Sequence, residues 1–168
     1  MTLPMKLHDW VDVTKLNWNS LSLNPNAIDL LKENPDKIDW YRLSRNPNAI
    51  DLLKENPEKI WYWLSQNPNA IDLLKENPDK INWTWLPINL NAIELLKANP
   101  DKMNWKYLSK NPNANDLIKE NPDKINWEWL SINLNTMGLL KANPEKINWE
   151  GLSRNPNAIE LLKANPDK

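Results

Sequence analysis

The side chains in this chain that could do chemistry are few, and most recur at a fixed interval. Serines stand at 44, 65, 109, 131 and 153, with no histidine in the segments that hold them. A serine nucleophile needs a neighbouring base to take its proton, so these hydroxyls are expected to bond to backbone at helix ends. The recurring Asp and Glu residues likewise lack the two distinct environments that separate a general acid from a general base. His8, Asp9 and Asp12 could be drawn as metal ligands, but one histidine with scattered carboxylates is the make-up of a solvated surface. With no cysteine there is no thiolate chemistry and no disulfide. Asn82-Trp83-Thr84 matches a glycosylation acceptor, and among 28 asparagines one match is expected by chance. The residues therefore predict a protein that is not an enzyme and that holds no cofactor and no metal.

The interval is a repeat. Asn24 to Arg45 reads NPNAIDLLKENPDKIDWYRLSR, and edited copies begin at Asn46, Asn67, Asn89, Asn111, Asn133 and Asn155, the last running to Lys168. Trp18, Trp40, Trp61, Trp83, Trp105, Trp127 and Trp149 mark a 22-residue period, shortened to 21 between Trp40 and Trp61 because the second copy lacks the residue that should stand between Ile60 and Trp61. Residues 67–110 match residues 111–154 at 32 of 44 positions, as if a block of two repeats had been duplicated. A period of this size is the mark of a repeat architecture.

Within a copy, Asn24 is placed to cap a helix that starts at Pro25, where the missing N–H costs nothing. This A helix is predicted to run to Glu33, with Ala27, Ile28, Leu30 and Leu31 on its apolar side. Asn34 before Pro35 ends it, and asparagine there tolerates a left-handed backbone. Asp39, or asparagine in most later copies, then caps a short B helix of α or 3-10 type over Trp40–Ser44. One copy buries too few apolar side chains to offset the entropy of ordering itself, so neighbours must stack. The expected fold is an all-α solenoid of about seven 22-residue repeats, preceded by an N-terminal cap and half repeat over residues 1–23, with Lys6, His8, Asp9 and Asp12 around Trp10 covering the first apolar face. The asparagines are expected to form ladders that bond to backbone between copies, and the in-phase tryptophans are expected in the core. Asn115, where other copies have Ile28, Ile50 and Ile71, and Gly138, where they have Asp or Glu, are expected to loosen the fifth and sixth copies if buried and mid-helix.

Comparing the copies with one another shows where variation is tolerated. Three B-helix positions change freely: Tyr41, Arg42 and Arg45; Tyr62, Trp63 and Gln66; Thr84, Trp85 and Ile88; Lys106, Tyr107 and Lys110; Glu128, Trp129 and Ile132; Glu150, Gly151 and Arg154. With the recurrent Trp at zero and about 100° per residue, they lie near 100°, 200° and 140°, away from Trp and Leu. The candidate protein-binding residues are thus Tyr41, Arg42, Tyr62, Trp63, Trp85, Tyr107 and Trp129. Exposed aromatics bring large contact area at low entropy cost; the competing reading is that alternate tryptophans cover a neighbouring turn.

With 21 basic and 22 acidic side chains, there is no electrostatic footprint for nucleic acid or an anionic membrane. No stretch has signal-peptide or membrane-span character, which predicts an intracellular protein. The wording NPNAIDLLKENPDKIDWYRLS, with variants ending in WLS, resembles short Asn-Pro/Trp-Leu-Ser repeat arrays of giant, large double-stranded DNA viruses. That resemblance implies a viral protein of host cytoplasm or virion, and an architecture rather than an activity. The alternation of one regular and one short helix is also similar, at fold level, to leucine-rich variant repeats. The expected role is a scaffold that binds a protein partner through the B face. The alternative is a self-assembling element that stacks through its uncapped C-terminal end, as a homodimer or end to end.

Overall fold

The structure, a computed structural model, describes residues 11–59 and 61–168. Lys6, His8, Asp9 and Trp10 of the expected cap, and Ile60 beside the shortened junction, lie outside the described residues. Two compact units are present, one ending at Asn82 and one spanning Trp83–Lys168. Among the described residues both contain only α- and 3-10 helices and no strand.

Each copy builds its elements by the same local chemistry. Asn24 is extended, and its side chain accepts from the Asn26 amide at 3.0 Å. Pro25–Ala27 then makes a 3-10 turn before the α-helix Ile28–Glu33. The single A helix expected from the sequence is therefore two pieces, because Ala27 bonds back three residues to the Asn24 carbonyl and sits at ψ 6°. Asn34 also departs from expectation. Among the described residues no non-glycine residue has positive φ; instead the Asn34 side chain donates to the Leu30 carbonyl at 2.9 Å and closes the helix end. The equivalent bond recurs at Asn56, Asn77, Asn99, Asn121, Asn143 and Asn165.

The B segments are four- to six-residue α-helices, such as Trp40–Leu43 and Trp127–Ile132, capped by Asp39 and Asn126. Residues 83–88 differ, forming a turn and the 3-10 helix Leu86–Ile88. Pro87 stands there where other copies have serine, and a residue without an N–H cannot complete an α-helical bond.

In the first unit Leu31, Leu43, Leu53, Leu64 and Leu74 are fully buried; in the second Leu86, Leu96, Leu108, Ile118, Leu130 and Leu140 are. Beside them runs a series of buried asparagines. Asn46 donates both Nδ2 hydrogens to the junction one repeat before it, to the carbonyls of Ser22 in the half repeat and Asn24 at the start of the first copy, at 3.1 and 3.0 Å, while its Oδ1 accepts from the Asn48 amide. Asn67 does the same to Ser44 and Asn46. In the second unit Asn111, Asn133 and Asn155 repeat it. Two donors and one acceptor are thus all engaged, which is what allows a primary amide to be buried without penalty.

The expected weak points are milder than the sequence implies. Gly138 is exposed in the first turn of Met137–Ala142, with open space around its Cα, so only backbone entropy is lost there. Asn115 opens its helix, half-buried, and donates to the Asn135 carbonyl at 2.7 Å, leaving only Oδ1 without a partner among the described residues.

Two outcomes follow in chemical denaturation. Asn111→Ala removes the donors to the Pro87 and Asn89 carbonyls, and a loss of roughly 2–3 kcal/mol is expected. Gly138→Ala is expected to gain about 0.5–1 kcal/mol from the unfolded state.

Candidate protein-binding face

The serines have no hydroxyl to spare for catalysis in the positions best defined. Ser22, Ser109 and Ser131 each donate to the tryptophan carbonyl four residues back, at 2.7–2.8 Å, and accept the amide of the next copy's B-helix cap at 3.0 Å. Ser44 donates instead to the Tyr41 carbonyl at 2.8 Å. Asp12 is itself a cap: its Oδ1 accepts from the Thr14 hydroxyl at 2.6 Å and amide at 3.0 Å, which hold its carboxyl below the ordinary carboxylate value. Among the described residues no three His, Cys, Asp or Glu side chains lie close enough to share an ion.

The recurrent tryptophans correct the sequence reading. Trp18, Trp40, Trp61, Trp83, Trp105, Trp127 and Trp149 are half-buried, not core. A four-residue helix has only one turn, and its leucine occupies the interior while the tryptophan at its start is left along the edge. In the second unit that edge is covered by lysine: Lys102, Lys124 and Lys146 place their ammonium groups 4.7, 4.9 and 4.9 Å from the ring centroids of Trp83, Trp105 and Trp127. Each lysine comes from the Pro-Asp-Lys or Pro-Glu-Lys turn of the copy that follows. Sequence reasoning missed these residues because an exposed lysine reads as solvated charge; its constancy in every copy was the available signal.

Four of the seven candidate residues lie in the first unit and three in the second. In the first, Tyr41 and Tyr62 are 54% and 59% exposed and stack at 5.7 Å with 21° between ring planes. Trp63, half-buried, stands edge-on to both at 5.4 and 4.9 Å, and the Arg45 guanidinium lies 5.5 Å from its centroid. Arg42 is exposed and pairs through Nε with Asp39 at 3.1 Å.

In the second cluster Trp85, Tyr107 and Trp129 are all half-buried and form a continuous run, with centroids 4.7 and 6.0 Å apart, and Lys110 covers Trp129 at 5.0 Å. The indole nitrogen of Trp129 is buried and finds no acceptor among the described residues. The run ends at Gly151, where a Cβ would meet Asn148 Oδ1 at 3.0 Å and the Glu128 carbonyl at 3.1 Å. Beside the run, Ile88, Leu90, Lys110, Asn111 and Pro112 line an apolar hollow of about 160 Å³. Leu90 replacing the usual proline was its only trace in the sequence. The helical-wheel placement thus separates by residue type: the tyrosines of the first cluster are exposed, and the tryptophans partly cover their neighbours.

No protein-family model, no curated protein and no solved structure matches this chain. No helix among the described residues is long and apolar enough to cross a membrane.

If the lysine–tryptophan contacts hold neighbouring copies together, Lys124→Met should lower the thermal midpoint by about 2–4 °C. Lys119→Met removes the same charge from a side chain that only pairs with exposed Asp116, and a smaller shift is expected.

Proposed function

We propose that this chain is a non-catalytic α-solenoid scaffold that binds a protein partner through the variable face of its B helices. One observation carries the reading: the positions that differ most between copies are those whose aromatic side chains stay wholly or partly exposed, while the leucines and asparagines beneath them are constant. A repeat array preserves what stacks and varies what touches other molecules. Tyr, Trp and Arg are also the residue types enriched where interfaces gain their energy. The reading assigns the serines and carboxylates to structure, and it places the site at Tyr41, Arg42, Tyr62, Trp63, Trp85, Tyr107 and Trp129. The balance of basic and acidic side chains disfavours a nucleic-acid partner.

Site-specific photo-cross-linking in lysate of the cells that make the protein provides the test. A benzophenone amino acid at position 41 or 107 is expected to capture the same protein partner, whereas one at Lys54, exposed on an A helix, is not. Capture from position 54 alone, or equal capture from all three, contradicts the assignment to the B face.

A further inference from the structure

We infer that the first cluster, Tyr41, Tyr62 and Trp63 with Arg42 and Arg45, docks an acidic segment of a protein partner whose carboxylates flank a large apolar side chain. This rests on the B-face reading above and narrows it to one place and one chemistry.

Charge distinguishes this patch from the rest of the face. The variable positions of the B helices Trp40–Leu43 and Trp61–Leu64, and of the residues just after them, hold two arginines and no carboxylate, and even with Asp39, the cap that pairs with Arg42, the patch stays net positive in a chain whose net charge is −1. In the second unit, by contrast, Lys106 and Lys110 are accompanied by Glu128 and Glu150, and Glu150 is engaged by Arg154 at 2.8 Å. The two arginines are also held ready. Trp63 supports the guanidinium of Arg45, and Asp39 engages Arg42 through Nε, so in each the fork of terminal nitrogens suits a further carboxylate. Against Trp63 stand the two most exposed aromatic side chains among the described residues, each with one ring face already spent on the other. They offer a rigid apolar anchor that costs little entropy to immobilise.

Two other occupants fit less well. A nucleic-acid strand gains affinity from many phosphate contacts, and two cations supply few. A second copy of this chain presents carboxylates interleaved with lysine, as in the pairs Asp72–Lys75, Glu94–Lys97, Asp116–Lys119 and Glu160–Lys163, so it offers no acidic run without cations among its carboxylates.

Fluorescence anisotropy on the full chain tests the inference with three labelled probes: a peptide alternating Glu and Leu around a central Trp, the same peptide with Lys for Glu, and a short oligothymidylate. The acidic peptide is expected to bind, with affinity that falls as salt rises, and the other two are expected to bind far more weakly. Arg42→Ala/Arg45→Ala should weaken the acidic peptide on the order of tenfold, the loss expected for charge-assisted contacts. Arg42→Lys/Arg45→Lys should recover part of that loss, with both variants keeping the parent circular dichroism. Lys32→Ala/Lys54→Ala, at exposed positions on A helices of the same unit, should bind as the parent does. Equal binding of acidic and basic peptides, tighter binding of the oligothymidylate, or parent-like binding by Arg42→Ala/Arg45→Ala overturns the inference. If the acidic peptide fails while cross-linking from positions 41 and 107 still captures a protein, this inference is wrong and the broader B-face reading stands.

Discussion

The buried asparagine that opens every copy after the first is the interaction on which the remaining structure depends. A primary amide in an apolar interior is costly unless every donor and acceptor is used. At Asn46, Asn67, Asn111, Asn133 and Asn155 one Nδ2 hydrogen reaches the carbonyl of the asparagine that opens the preceding copy and the other a carbonyl two residues before that asparagine, and Oδ1 caps the turn that follows. One side chain therefore sets register between neighbours and starts the next helix. The proline after it then follows naturally, because its missing N–H falls where the cap leaves no use for one.

Fixing register by polar bonds leaves the apolar side chains a simple task. Leucines of the A and B helices, with Ile118 in the fifth copy, fill the interior of their unit, and helices of only four to six residues suffice because they need not be stable alone. Tryptophan at the start of each B helix lies at the margin, and in the second unit it is covered by the lysine of the next turn. The outer B-helix positions are left without a structural duty that demands one residue type. That freedom is the physical basis for reading them as the surface where copies diverge for binding.

Much of this was legible in the sequence. The Asn-Pro pairs marked five of the seven A-segment starts, with Asn-Leu at 89 and 133, the alternation of Asn-Pro and Trp-Leu-Ser gave two helices per copy, and the leucines were read as buried. Three features were misread for identifiable reasons. The wheel placed Trp40 and its equivalents with leucine because it treats a single turn as a long helix. Asn34 was given a left-handed backbone, when its amide instead bonds to the Leu30 carbonyl at the helix end. The lysines over Trp83, Trp105 and Trp127 were passed over because cation–aromatic contact between copies has no local pattern, only constancy. At the candidate face the positions were legible, whereas the ring contacts within each unit and the unequal exposure of tyrosine and tryptophan depend on packing between copies.

The side-chain amide protons of Asn111 and Asn133 offer the most direct measurement, by hydrogen exchange in nuclear magnetic resonance. If the asparagine series holds register, those Nδ2 protons exchange as slowly as the backbone amides of Leu108 and Leu130, and more slowly than those of exposed Asn113 and Asn135. Exchange of the Asn111 and Asn133 side chains at the rate of Asn113 and Asn135 would contradict the account, since a ladder open to water could not set the register of its neighbours.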